Sequence, residues 1–249
     1  MTIQIIPVDG IGEVHAGDDL VEFIQSAVSA SGGSLRPGDV VVIAQKVVSK
    51  AEGRIRRLAE ITPSERALRL AAELDKDARI VQCVLDEARA VLRAERGVII
   101  TETHHGFVCA NSGVDRSNVG LPDAVVLLPL DPDASAAGLR EAFRARTGTD
   151  VAVVVTDTFG RAWREGQVNV AIGISGLAPF VRYAGLRDPD GYELRVTEIA
   201  LGDEIAAAAE LVMGKLDRRP AAIVRGITSD GTPGGAREYV RPAARDMFR

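Results

Sequence analysis

The 249-residue chain is 46% apolar and 26% charged, a balance that belongs to an ordinary soluble globular protein with a sizeable core. A net charge of −5, with no basic cluster interleaved with aromatics, gives no reason to expect nucleic acid, and no stretch approaches the ~20 apolar residues of a membrane span. Cys83 and Cys109 could form one disulfide, but two cysteines suit a reducing cytosol better than a disulfide scaffold; no basic and apolar leader opens the chain, so a cytoplasmic location is expected.

Residues 2–8 read as a first strand, followed by the loop Asp9-Gly10-Ile11-Gly12-Glu13. Asp18 or Asp19 can cap a helix over 20–29 with Leu20, Phe23, Ile24, Ala27 and Val28 on one face. The turn Pro37-Gly38-Asp39 leads into Val40-Val41-Val42-Ile43-Ala44, whose lack of alternation predicts a strand buried on both faces. The polar string Gln45-Lys46-Val47-Val48-Ser49-Lys50 follows immediately. Thr62-Pro63-Ser64-Glu65 is a capping box with Pro at the first helical position. The pattern behind it predicts helix to about Glu95, with Val81, Val84, Leu85, Ala88, Val91 and Leu92 as its stripe and Asp75-Lys76-Asp77 as a place to divide.

Strand-like runs at 98–102 and 106–110, separated by Thr103-His104-His105, predict a hairpin. Val125-Val126-Leu127-Leu128 and Val151 to Val155 read as further buried strands. Between them, Ser135 can cap a helix carrying Leu139 and Phe143 that Gly148 would end. Asp188-Pro189-Asp190-Gly191 suits a type I turn, hence a hairpin over 180–200. Asp203 can cap a helix with Ile205, Ala209 and Val212 inward, stopping at Gly214; Ala221 to Val224 is a last strand. The Gly-, Pro- and Arg-rich tail 228–249 is expected to be loosely ordered. Strands and helices alternate while hairpins intrude, so the class is mixed α/β, or α+β.

Two acidic residues stand out because each closes an apolar run beside glycines: Asp115 within 106–120 and Asp157 within 156–166. Two ionised carboxylates ~4 Å apart repel by about 4 kcal/mol at an effective dielectric of ~20, so a shared site requires a cation or a proton. Oxygen ligands beside Thr158, without a Cys or His cluster, point to Mg²⁺ or Mn²⁺ rather than zinc. The competing interpretation is that each Asp merely caps a turn or helix. Gln45 to Lys50 could contact a phosphate or base at the end of a buried strand, where α/β folds place ligands, or form an ordinary solvated strand end. Arg161 and Arg164 offer bidentate donors to phosphate or carboxylate, or surface salt bridges. Trp163 reads as core, Cys109 as a small buried apolar residue, and His104 and His105 as solvent-facing. Gly10-Ile11-Gly12 is not a dinucleotide fingerprint, since the third Gly would fall on His15, and no Walker A sequence occurs.

Several separate motifs in order resemble one family, the coenzyme F420:L-glutamate ligases (γ-glutamyl ligases), over about Ile6 to Gly226. They are Gly17-Asp18-Asp19-Leu20, Gly38 to Val42 with Gln45 to Gly53, Ala110 to Asn118, and Asp157-Thr158-Phe159-Gly160-Arg161. The resemblance implies a mixed α/β fold of two lobes, with residues 1–227 as the catalytic domain, working as an intertwined homodimer. It implies GTP-driven addition of L-glutamate to the F420 precursor (F420-0 or its dehydro form) through an acyl phosphate, with two divalent ions and K⁺ as a candidate monovalent partner. Asp115 and Asp157 match metal ligands, and Thr158 matches a ligand of a second metal. Ile11, Gly12, Glu13, Val14, Gln45, Lys50 and Asn118 match GTP contacts, as does the loop from Met213, Gly214 and Lys215 to Pro220. Arg161 joins the two aspartates as a catalytic candidate. One departure is Lys215, standing where archaeal members carry a metal-binding Glu. An ammonium is not a metal ligand at neutral pH, and the chain resembles actinobacterial-type members there. Its end, 241–248, resembles a junction to a reductase domain. A ligase with another acyl or amine substrate, or a GTP-binding regulatory protein, also stays open on sequence.

Overall fold

Val40 to Ile43 present no polar face, and in the computed structural model, which describes residues 2–247, they lie at the centre of a five-stranded mixed sheet. The first half of the chain forms β1 (Gln4–Pro7), α1 (Leu20–Ala30), β2 (Val40–Ala44), α2 (Gln45–Ala51), β3 (Ile55–Arg57), α3 (Glu65–Leu74), α4 (Ala78–Asp86), β4 (Ala88–Glu95) and β5 (Val98–Thr103). The second half forms β6 (Val108–Ala110), β7 (Ala124–Val126), α5 (Pro132–Thr147), β8 (Ala152–Arg161), β9 (Arg164–Ser175), β10 (Phe180–Arg182), β11 (Glu198–Ala200), α6 (Leu201–Met213) and β12 (Ala221–Arg225).

The main sheet has the order β1-β12-β2-β8-β9, and only the β2–β8 pair is parallel. Alternation along its strands divides the core. Val41, Ile43, Val153 and Val155 pack with Ile24 of α1 and Phe143 of α5. Val40, Val42, Ala152 and Val154 pack with Ile205, Ala209 and Met213 of α6. Each such Val or Ile taken fully out of water contributes about 1.5–3 kcal/mol, which is why an unpatterned apolar run is stable only as a central strand. A second sheet, β4-β5-β6, packs Ile99 against Ala67 and Ala71 of α3 and Val81 and Val84 of α4. Two two-stranded pairs, β3–β7 and β10–β11, complete a mixed α/β architecture, as the sequence predicts.

Several local expectations are corrected. The helix expected to run to Glu95 ends at Asp86, and 88–95 is strand. Arg96 and Gly97 both have positive φ (51° and 75°), the two-residue turn that joins β4 to β5. Register shifts between Ala88 and Ala90 and between Val91 and Arg93 blur the period of two, so the stripe mimics helical spacing. The division at 75–77 holds, with Asp75 left-handed (φ 53°) at the end of α3. Three caps move. Ser64, not Thr62, caps α3; Asp131, followed by Pro132, caps α5 in place of Ser135; and α6 starts at Leu201, before Asp203. The Asp203 carboxylate instead accepts the Ala171 N–H at 2.9 Å, on the edge strand β9.

β8 does not stop at Asp157 but continues to Arg161 and turns back through Ala162-Trp163. Trp163 sits at that turn with φ 59° and is 80% exposed, so it is not core. The alternation Val168, Val170, Ile172, Ile174 is the signal for β9 that the sequence reading omits. Cys83 and Cys109 are both buried and free.

The tail is not loose over 229–240. Ala236 is fully buried, and the Asp133 carboxylate accepts the N–H groups of Ala236 (2.8 Å) and Arg237 (3.2 Å) together with that of Ile174 (2.8 Å). The Tyr239 hydroxyl accepts from Gly202 N–H at 2.8 Å and donates to the Pro179 carbonyl at 2.5 Å. The expectation for Phe248 and Arg249 lies outside the described residues. Tyr239→Phe takes the hydroxyl from the Gly202 N–H and removes one of two hydrogen bonds to the Pro179 carbonyl, which keeps that from Leu201 N–H (2.8 Å); it is expected to cost about 1–2 kcal/mol, a fall of roughly 3–6 °C in Tm by scanning calorimetry. An unchanged Tm would mean that the tail is not locked through this hydroxyl.

Candidate active site

Because successive residues of a strand point to opposite faces, β8 carries Asp157 to the side of Val153 and Val155 and Thr158 to the side of Val154. Two polar clusters result, one on each side of the same strand.

The first centres on Lys46, in the first turn of α2. Gln45 to Lys50 is therefore a short helix rather than a solvated strand end, and Gln45, Ser49 and Lys50 are buried in it. The Lys46 ammonium lies 2.7 Å from Asp115 Oδ2 and donates to Ser117 Oγ at 2.6 Å. Ser117 in turn donates its N–H to Asp115 Oδ1 at 2.7 Å and its hydroxyl to Oδ2 at 3.0 Å. Asp115 itself is held by reciprocal backbone hydrogen bonds to Val126 of β7 (3.1 and 2.9 Å). It leaves a turn in which Asn111, Ser112 and Gly113 are all left-handed (φ 51°, 53° and 71°). Ser112 anchors that turn, donating its hydroxyl to Val84 O at 2.8 Å and its N–H to Thr101 Oγ1 at 3.0 Å. Gly113 is required there, since a Cβ would lie 2.7 Å from the Leu128 side chain.

The electrostatics separate the two aspartates. Burial alone would raise Asp115, but the hydrogen bond from Lys46 and the two from Ser117 outweigh it and hold this carboxyl below the usual range. Burial pushes Asp157 up to about 6; the Thr158 N–H and the Lys46 charge pull it down, and the Asp115 charge adds to the rise. Burial also lifts the two thiols, Cys83 to about 11 and Cys109, with the Asp157 charge nearby, to about 12. Neither is a nucleophile at neutral pH.

The second cluster gathers around Thr158. Its hydroxyl donates to Asn169 Oδ1 at 2.6 Å, and Asn169 Nδ2 donates to Glu210 Oε2 at 2.9 Å. The Lys215 ammonium donates to the Thr158 hydroxyl and lies 3.6 Å from Glu210. A third group is Lys50, almost fully buried and paired with Glu13. Beside it opens a cavity of about 310 Å³ lined by Glu13, Lys50, Ile55, Arg57, Val119 and Gly120. Gly120 (φ 81°) keeps this corner open, for a Cβ there would meet Glu13 Oε1 at 2.6 Å.

The structure thus brings Asp115 and Asp157 to one lysine, Thr158 to Lys215, and Glu13 to Lys50. Arg161 joins none of these groups. It lies four residues along β8 from Asp157, about 13 Å of strand, and its guanidinium folds back on Glu165 O (2.5 Å) and Gly166 O (3.4 Å). Ile11, Val14 and Met213 point into the core, so only their backbones can face a ligand. Asn118 is an exposed left-handed residue (φ 55°) between Ser117 and the cavity wall. Gln45 Oε1 accepts from Ser49 at 2.9 Å while its Nε2 is buried without a partner. Ser117, Asn169 and Glu210 carry no individual role in the sequence reading, and Lys46 enters it only within the string Gln45 to Lys50. Reading 45–51 as a helix would have placed Lys46 and Lys50 on one face, four residues apart. Among the described residues, no three of the His, Cys, Asp and Glu side chains converge as a ready metal cage.

A family model described as F420-0:Gamma-glutamyl ligase matches residues 10–226. The coenzyme F420:L-glutamate ligase of Methanothermobacter thermautotrophicus is 44% identical over 255 residues, covering 100% of both chains. That of Methanopyrus kandleri is 47% identical over 253 residues, covering 100% of this chain and 98% of the relative. That of Archaeoglobus fulgidus is 44% identical over 250 residues, covering 100% and 97%.

The raised Asp157 sets a pH dependence. Its folded value of about 6 exceeds the ordinary 3.8, so ionising it costs stability; the cost is absent below 3.8, grows as pH rises to about 6, and is complete above. In chelator-treated protein Asp157→Asn is therefore expected to be more stable than wild type at pH 8, by on the order of 3 kcal/mol, with the difference vanishing near pH 4. Denaturant titration at the two pH values checks this, and a variant less stable at pH 8 contradicts it. Cys83 and Cys109 are expected to resist an aromatic disulfide reagent at pH 8 in the native state and to react fully in denaturant; rapid native labelling would contradict their burial.

Proposed function

This chain belongs to the F420-0:gamma-glutamyl ligase family and is a ligase, and from that premise we propose that it joins L-glutamate to the F420 precursor at the expense of GTP. What supports the site assignment is Asp115 paired with Lys46, whose charge also acts on Asp157 of β8.

A carboxylate is a poor electrophile until activated. In the proposed reaction a carboxylate oxygen of the precursor takes the γ-phosphoryl group of GTP, the bond from that phosphorus to the bridging oxygen breaks, and GDP leaves. The amine of glutamate then adds to the acyl carbon and loses a proton, and phosphate departs with the electrons of the old C–O bond. Phosphoryl transfer asks mainly for positioning and charge neutralisation. Carboxylates and hydroxyls are hard oxygen donors, so Asp115 and Asp157 fit Mg²⁺ or Mn²⁺, which when bound supplies positive charge to the phosphoryl oxygens.

The chain's own groups supply the rest. Lys50, held by Glu13, places a buried ammonium at the cavity for the nucleotide, with the backbone of Ile11 to Val14 along one side and Asn118 on the rim. The unpartnered Gln45 Nε2 is a donor that a polar ligand would satisfy. On the other face Thr158 is engaged by Lys215 and Asn169, so holding a second ion there requires Lys215 to withdraw, with Glu210 as the nearest carboxylate. Lys215 is also the residue on which an actinobacterial-type assignment rests. Arg161, on the exposed hairpin, is assigned to substrate rather than to the metal. A homodimer is part of the same reading, supported by the exposed Leu186, Tyr192, Val196, Leu211 and Leu216. So is a cytoplasmic location; no described helix is long and apolar enough to cross a membrane.

With GTP, Mn²⁺, L-glutamate and the precursor, the protein is expected to yield a product heavier by one glutamyl residue and to release GDP, both read by mass spectrometry. Asp157→Asn is expected to lower turnover by about 10³-fold or more. Undiminished turnover in that variant would remove Asp157 from the site, and product formation without GTP would remove the phosphoryl step.

A further inference from the structure

Within the protein the Asp115 carboxylate, whose side chain is 41% exposed, is held by Lys46 and Ser117. Oδ1 accepts the Ser117 N–H at 2.7 Å; Oδ2 accepts the Ser117 hydroxyl at 3.0 Å and the Lys46 ammonium at 2.7 Å. Lys46 is itself committed, with its second contact to Ser117 Oγ at 2.6 Å, and its charge also reaches Asp157. The acidic pair is therefore charge-compensated by a side chain of the protein. A free divalent ion competes with that ammonium for Oδ2 and, at either oxygen, is repelled by its charge. A polyphosphate arriving with the ion removes this conflict, because the displaced ammonium can pair with phosphate oxygens. Lys46 can make the move: it stands on the first turn of a helix, its side chain is 22% exposed, and four flexible methylenes carry the charge.

We propose that Lys46 is an internal counter-ion that weakens the hold of Asp115 on free metal, so that the divalent ion binds more readily together with a polyphosphate than before it. This rests on the metal–nucleotide reading of the site. Its consequence is a coupling between the two ligands that the lysine carries: each binds more tightly when the other is present, in part because one displaced ammonium serves both events.

The test measures Mn²⁺ binding to nucleotide-free protein by electron paramagnetic resonance of the unbound ion, with and without inorganic tripolyphosphate. Wild type, Lys46→Met, Lys46→Arg and Asp157→Asn are compared. Lys46→Met is expected to bind Mn²⁺ alone about tenfold more tightly than wild type and to lose about tenfold of the gain that tripolyphosphate brings. Lys46→Arg, which keeps the charge, is expected to stay near wild type. Mn²⁺ affinity in Lys46→Met equal to or weaker than wild type, or an unchanged gain with tripolyphosphate, overturns the counter-ion role while leaving the metal site standing. If wild type and Lys46→Met both bind Mn²⁺ no better than Asp157→Asn, the metal reading itself fails and the proposal with it.

Discussion

The alternation of side chains along a single strand governs the site. From Ala152 to Val155, β8 is a purely apolar central strand that packs both faces of the sheet. From Thr156 onward the same pleat presents polar groups, and its two sides diverge in chemistry. One side receives Asp157 beside Lys46 and Asp115; the other receives Thr158 beside Lys215, Asn169 and Glu210. A slip of one residue in the pairing of β8 with β2 would exchange the two sides and bury the aspartate against α6. The parallel register runs from Val40 with Ala152 to Ala44 with Thr156. The geometry of the proposed site and the packing of the core are thus set by one and the same register.

Charge follows from that placement. The charge of Asp115 makes Asp157 harder to ionise, and the protein supplies help to the two unequally. Asp115 is given an ammonium, an amide N–H and a hydroxyl; Asp157 is given mainly burial and one backbone N–H. One acid stays ionised in ordinary buffers and the other is poised near neutrality. Groups whose values are driven apart in this way mark a site that has work for each.

Much of this was legible in the chain. The valine run at 40–44 could only be a central strand, and Asp115 and Asp157 could be singled out as acids beside glycines closing apolar runs. The pieces that failed to show did so for physical reasons. The strand 88–95 is half exposed and irregular in register, so its apolar residues fell at helical intervals by accident. The tail looked structureless because its order comes from two backbone amides, of Ala236 and Arg237, bound to the distant Asp133, and from one phenol, none of which has a local pattern. Lys46 was read only as part of the string Gln45 to Lys50, and its pairing with Asp115 was hidden because the two are sixty-nine positions apart. Arg161 was grouped with the aspartates by nearness in sequence, whereas an extended strand turns four residues into a long separation.

The order of the main sheet has a further implication for how the chain comes into being. β12, synthesised after every other strand of this sheet, lies between β1 and β2, the first two to be made. Neither early strand meets the other; each waits for the same late partner. Until Ala221–Arg225 is available, β1 lacks its only neighbour and β2 keeps one edge open, both apolar enough to pair with the wrong chain. Most of the closure is also non-local, which slows folding and lengthens that exposure. Chains interrupted anywhere before this short strand should be the ones that cells find hardest to keep in solution, however complete their catalytic residues.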